Sequence, residues 1–159
     1  MIPILLMHAL ELKIPPPVVV VLTAGTMWGL SLVGPLLELP AFIRIVTAVT
    51  ICLAGVGLSL AGVIAFRRAR TTVNPMKPQT TSSLVCSGIY RVTRNPMYVG
   101  LVFVLVAWAV LLSSAWALLG PMAFALYMNR FQIAPEERVL SSMFGASYSD
   151  YKSSVRRWL

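Results

Sequence analysis

The sequence predicts an all-α integral membrane protein. Four transmembrane helices are expected, the third and fourth joined as a tight helical hairpin, with a C-terminal helical lid on the cytoplasmic face. Three observations predict this. Apolar residues make up 58% of the 159 residues and charged residues 11%, against roughly 25% charged in a typical soluble domain. So few charges cannot cover a water-facing surface, and so apolar a chain is not disordered. The apolar residues also gather into long uncharged runs. Finally, the basic residues stand beside those runs: 13 Lys and Arg against 5 Asp and Glu give a formal charge of +8. Placed there, they read as loops held at the cytoplasmic leaflet rather than as a nucleic-acid surface.

The elements follow in order. Residues 1–10 are apolar but lack a preceding basic residue and a small-residue cleavage site, so they are not read as a signal peptide. Residues 18–37 and 45–66 are uncharged, and at 1.5 Å per residue each crosses a hydrocarbon core of roughly 30 Å. Residues 97–129 are also uncharged. As one helix they would run to about 50 Å, too long for a single crossing. A break at Ser113-Ser114-Ala115 divides them into two similar halves, and Gly120-Pro121 is the rival break. Arg67, Arg68, Arg70, Lys77, Arg91 and Arg94 lie between the second and third spans, and Arg130, Arg138, Lys152, Arg156 and Arg157 follow the fourth. The opposite side carries only Glu38 and Arg44. The positive-inside rule then places both termini and the long loop in the cytoplasm. Gly57, Ala61 and Ala65, and likewise Gly25 and Gly29, are expected to be small-residue ridges for helix packing. The organisation expected is an N-terminal helix pair, 1–70, and a second unit, 71–159.

Several function classes find no support. His8 has no metal-ligating companions, and Cys52 (in an apolar run) and Cys86 (in a polar loop) suit neither a disulfide nor a zinc site. Gly55-x-Gly57 lies inside a span with no strand before it, so it is not a dinucleotide fingerprint.

Two polar clusters remain. Leu84-Val85-Cys86-Ser87-Gly88-Ile89-Tyr90-Arg91 leads into Arg94-Asn95-Pro96-Met97-Tyr98-Val99-Gly100. Asn favours an N-cap and Pro the first helical position, which predicts a third helix starting at Pro96 and capped by Asn95. Its end favours an anion. Arg91 and Arg94 beside it can grip a carboxylate through paired N–H bonds, and Gly100 leaves room for a ligand. The same residues also describe an ordinary helix start with arginines snorkelling to the headgroups. The second cluster is Pro135-Glu136-Glu137-Arg138. Two carboxylates there either bind a cation or simply open a helix. Phe144-Gly145 reads as a helix end and Ser147-x-x-Asp150 as a capping box opening a last helix. On that helix Tyr148, Tyr151 and Val155 share a face, so it either lies on the bilayer or folds over the site.

In order, Gly88-x-Tyr90, Arg94-Asn95-Pro96-x-Tyr98-x-Gly100, a tight hairpin, Glu136-Glu137-x-x-Leu140 and Phe144-Gly145-x-x-Tyr148-x-x-Tyr151 resemble the isoprenylcysteine carboxyl methyltransferase family. Its wider relatives include the membrane phospholipid N-methyltransferases. The resemblance covers about residues 71–159. Thr71-Thr72-Val73-Asn74-Pro75 also resembles the loop of small bacterial members, and Asn95 stands where eukaryotic members carry His. The first two helices match in hydropathy alone.

The resemblance implies a methyltransferase core at 71–159 that uses S-adenosylmethionine and no metal. It implies catalytic roles for Arg94, Glu137 and Arg91, and cofactor binding by Tyr90, Asn95, Pro96, Tyr98, Gly100, Glu136, Glu137, Tyr148 and Tyr151. The acceptor implied is a lipid-like or prenylated molecule. A carboxylate acceptor is already ionised at neutral pH and needs no base, whereas an amine must first lose a proton. With two arginines and no histidine in the cluster, carboxyl O-methylation is expected. Lipid amine N-methylation and a non-catalytic protein of the same fold are the alternatives.

Overall fold

The computed structural model describes residues 11–70, 76 and 78–159. The expectations for residues 1–10, His8, Lys77 and the loop 71–75 lie outside the described residues. Five α-helices carry the fold: α1 Pro16–Ser31, α2 Ala41–Arg68, α3 Pro96–Leu112, α4 Leu119–Met128 and α5 Ala134–Ser154. Short 3-10 turns occupy Pro78–Thr80, Gly88–Arg91 and Ala115–Leu118, and a π-helical turn, Asn129–Ile133, joins α4 to α5. No β-strand occurs among the described residues, only two isolated bridges.

Helix α1 starts where Pro15 and Pro16 fix the backbone without losing a needed N–H. Helix α2 has 28 residues and ends on Arg67 and Arg68, cations that suit a helix C-terminus. Among the described residues it is the one helix long and apolar enough, by length and composition, to cross a membrane. Helices α1 and α3 are apolar but shorter, at 16 and 17 residues. The outward faces of this bundle are apolar, with Val21 70% and Leu53 67% exposed. The core between α1, α3 and α4 is built from Met27, Leu105, Phe124 and Met128, and Trp108 Nε1 donates to the Ala24 carbonyl at 3.1 Å.

The hairpin breaks at the serines. Helix α3 ends at Leu112 and Ser113 takes a left-handed conformation, φ 48°. Gly120-Pro121, the rival break, is buried inside α4. The connection from α1 to α2 is pinned to this tip, with Leu37 N–H donating to the Ser113 carbonyl at 2.7 Å.

The close approach of α2 to α3 keeps Ala65 of the expected ridges and corrects the rest. Gly25, Gly29 and Gly57 face open space. The buried seam on α2 is Ala48, Gly55, Gly62 and Ala65. A Cβ at Gly55 would lie 2.6 Å from the Gly100 carbonyl, and one at Gly100 would run into Ser59 Oγ and the Gly55 carbonyl. Small residues on both helices let the backbones touch.

The sequence allows a helix start at Pro135, and α5 does begin there, at Ala134, but as the continuation of a preceding helix rather than after a loop. Helix α4 runs through the π turn into α5. Proline lacks an N–H and crowds the carbonyl four residues back, here Phe131. The wider π turn accommodates the ring, and the Phe131 carbonyl accepts the Leu12 N–H at 3.0 Å. Glu11 alongside pairs with Arg130 at 2.7 Å and with Arg138, so the segment before α1 is fastened across this turn. The expected break at Gly145 is present, with φ 49° and ψ −121°.

Candidate active site

Gly88, at φ 62°, turns the chain into the 3-10 segment that delivers Tyr90. The Tyr90 ring meets Phe66 of α2 edge-on, centroids 5.3 Å apart, and its carbonyl accepts the Tyr151 hydroxyl at 2.8 Å. The next residues pair with the segment that follows α5. Arg94 N–H donates to the Arg156 carbonyl at 3.0 Å, and Thr93 and Arg156 form a parallel bridge. Asn95 corrects the expected cap. Helix α3 does start at Pro96, but no side-chain capping bond is made. Instead Asn95 Nδ2 donates to the Arg157 carbonyl at 2.9 Å.

That stitching aims Arg157 at Glu137. Its Nε lies 3.0 Å from Oε1 and its Nη2 2.6 Å from Oε2, the two-pronged geometry that makes such pairs strong. Arg94 Nη2 lies 3.2 Å from Oε1 and Lys152 Nζ 4.0 Å from Oε2. Glu137 is 8% exposed, so three cations converge on one buried carboxylate and the site keeps a positive excess. The Arg94 side chain is 9% exposed, and its Nε and Nη1 have no hydrogen-bond partner.

Glu136, one residue earlier, has a different environment. Tyr98 Oη donates to its Oε1 at 2.6 Å and Gln132 Nε2 at 3.3 Å. Burial is the largest influence and pushes its carboxyl up to about 7, with the Glu137 charge adding to the rise and the two hydrogen bonds opposing it. Burial likewise pushes the Tyr148 hydroxyl up to about 12 and holds Tyr90 and Tyr151 above the usual phenol range. The hydrogen bonds from Arg157 to Glu137 hold that guanidinium above its ordinary value.

These groups line one cavity of ≈ 810 Å³, its open mouth included. Tyr90, Arg94, Asn95, Tyr98, Glu136, Glu137, Tyr148 and Tyr151 all face it. Three expected site residues do not. Arg91 is exposed and does not line the cavity. Pro96 is buried beside Gly62. Gly100 packs at the α2–α3 crossing and does not line the cavity.

The sequence reading also left residues unassigned. Phe66 reaches the cavity from α2, Met97 from α3, Ile133 from the π turn and Leu140 from α5. Arg157 reaches Glu137 through a pairing 62 to 64 residues long in sequence, a separation no local motif encodes. Gln132 was findable, because it precedes Glu136 by four residues and such pairs share a helix face.

Among the described residues no group of three or more His, Cys, Asp or Glu is placed to hold a metal ion, and Cys52 and Cys86 are free.

A family model described as phospholipid methyltransferase matches residues 43–147. An uncharacterized protein of Haemophilus influenzae is 49% identical over 63 residues, which is 40% of this chain and 100% of that protein. No solved structure matches. The matched stretch takes in α2, the hairpin, both acidic residues and most of the cavity wall, and by it this chain belongs to the phospholipid methyltransferase family, a family of membrane methyltransferases.

Proposed function

We propose that this chain is a multi-pass membrane enzyme that transfers the methyl group of S-adenosylmethionine to a lipid-like acceptor at the cytoplasmic face, with both termini in the cytoplasm and the helix after Gly145 as its lid. The observation that carries this reading is the Arg94 side chain. This side chain is buried and lines the cavity, and two of its nitrogens, Nε and Nη1, have no hydrogen-bond partner. A buried donor left unpaired costs free energy of about 1–3 kcal/mol. An acceptor such as the carboxylate of the cofactor's amino acid would satisfy one of these donors through a charge-assisted hydrogen bond. The residues therefore fit the cofactor. Glu137 is already committed to Arg94 and Arg157, so its role is to hold Arg94 in place. The rings of Tyr90, Tyr148 and Tyr151 offer aromatic surface to the adenine and to the sulfonium cation. When bound, the cofactor supplies an activated methyl whose leaving group is a neutral thioether. The protein's part is alignment and exclusion of water.

Two acceptor chemistries remain. A carboxylate would be held by the positive excess around Arg94, as expected from the sequence. An amine is favoured by the position of Glu136. The test is to incubate the purified protein with labelled S-adenosylmethionine and either phosphatidylethanolamine vesicles or a prenylcysteine analogue, and to identify labelled products by mass. Calorimetry showing no cofactor binding to the folded protein would sink the reading.

A further inference from the structure

We propose that the segment before α1 is a clasp that positions one wall of the cavity, with Glu11 as its positioning residue. By holding Arg130 and Arg138 together, Glu11 keeps the Asn129–Ile133 turn in the π register that sets Ile133 and Leu140 on the cavity wall. In its effect on the cofactor the inference rests on the methyltransferase reading above, and it extends that reading to a residue outside the site.

A π turn sets rotational register. Each residue of an α-helix advances the chain by about 100° around the axis. A π turn closes its bonds on the fifth residue rather than the fourth and so takes up one residue more. Everything after it is turned by about 100° relative to its place in an unbroken α-helix. Before the turn, Phe124 and Met128 of α4 are packed in the core. After it, Ile133 and, on α5, Glu136, Glu137 and Leu140 line the cavity. Reversion of the turn to α geometry would swing one of these two sets out of place.

The contacts to the turn come from both ends of the chain. Trp158 Nε1 donates to Asn129 Oδ1 at 3.0 Å and fixes where the turn begins. The Leu12 N–H donates to the Phe131 carbonyl at 3.0 Å, the group that Pro135 cannot serve four residues on. The two oxygens of Glu11 take different arginines: Oε1 accepts from Arg130 Nη1 at 2.7 Å, and Oε2 accepts from Arg138 Nη2. In an unbroken α-helix, residues eight apart are separated by about 80° around the axis. With one residue taken up by the turn, that separation falls to about 20°, and one carboxylate can reach both. The ion pairs thus favour the π register over the α one. The Glu11 side chain is 11% exposed, so water and salt screen them little. Leu12 takes φ 55°, a left-handed conformation that a leucine disfavours. Such strain persists where the surroundings impose it, and here the bonds of Glu11 and Leu12 across the turn do so. None of Glu11, Leu12, Arg130 and Arg138 lines the cavity, so the clasp acts on the site through the turn.

The experiment compares the full chain with Glu11→Gln, Glu11→Asp, Arg138→Gln and the double variant Glu11→Gln/Arg138→Gln. Binding of S-adenosylmethionine is measured by calorimetry well below the Tm of each protein. Amide hydrogen exchange is followed by mass spectrometry without cofactor. Glu11→Gln should raise the cofactor Kd by about tenfold or more. It should also speed exchange over residues 129–140 while the α2–α3 seam keeps its wild-type rate. Glu11→Asp keeps the carboxylate and should bring the Kd back to within about threefold of wild type. Arg138 is 55% exposed, so Arg138→Gln leaves the fold intact and reads the clasp even where Glu11→Gln does not purify. It should act in the same direction, and adding it to Glu11→Gln should have less effect than it has alone, because the two groups work as one pair. A wild-type Kd in both single Gln variants would overturn the proposal, as would exchange that rises equally in the seam. Absent cofactor binding in the wild type would overturn the methyltransferase reading, and exchange over residues 129–140 would still judge the clasp, so the two failures are told apart.

Discussion

Glu136 and Glu137 are chain neighbours in different surroundings, and pH should report on the first. The folded Glu136 carboxyl stands at about 7 against an ordinary value of 4.5. Between those values the folded state holds the proton more tightly than the unfolded one, so stability falls as pH rises through that window and levels off above it. The shift corresponds to about 3 kcal/mol. Thermal melting in detergent should therefore give a Tm that drops from pH 5 to pH 8, and Glu136→Gln should flatten the drop. Glu137→Gln should behave differently. It leaves Arg94 and Arg157 buried or half-buried around a neutral amide, which should cost about 3–5 kcal/mol and weaken cofactor binding, both readable by melting and calorimetry. Residue types alone could not rank the two carboxylates, because Pro135-Glu136-Glu137 is also how any helix begins. What distinguishes them is which distant side chains reach each one: Tyr98 for the first, Arg157 for the second.

At the scale of elements, the α2–α3 crossing is the tightest contact described. Gly100→Ala should destabilise by about 1–3 kcal/mol, since the added carbon meets the Gly55 carbonyl, and backbone cannot move aside as a side-chain tip can. Gly57→Ala, facing open space, should leave Tm within about the reach of a surface change, ±0.5 kcal/mol. The pair of melting curves tests whether the seam runs through Gly55 and Gly62 rather than through Gly57 and Ala61. Hydropathy located α2, α3 and the serine break, because uncharged runs and turn chemistry are local. The seam was not legible, since several small residues on α2 could equally face a neighbour and only the partner helix selects among them. The π turn was hidden for a related reason. Pro135 with two acids behind it signals a fresh helix start when read alone, and its continuity with α4 leans on Leu12, which supplies an N–H to the Phe131 carbonyl.

For the whole molecule, the arrangement proposed puts the hairpin tip and the cation-rich cavity on opposite faces of the membrane. Ser114 is fully buried, so a label there would report burial rather than side. Val33, 83% exposed beside the tip, is the better reporter. Val33→Cys should react with a membrane-impermeant thiol reagent added from the non-cytoplasmic side, in a Cys52→Ser, Cys86→Ser background. Reaction only from the cytoplasm would reverse the orientation. The stitching of Thr93, Arg94 and Asn95 to Arg156 and Arg157 also has a consequence for biosynthesis. Helices α1 to α4 are complete once the chain has grown to Met128, and the α2–α3 seam can form from them. Glu137 acquires its two-pronged partner only after residue 157 has left the ribosome. The scaffold can thus be embedded in lipid before any charged clamp exists. A nascent chain stalled with Ser154 as its last exposed residue should already resist extraction by alkali, yet show no retention on immobilised cofactor until release.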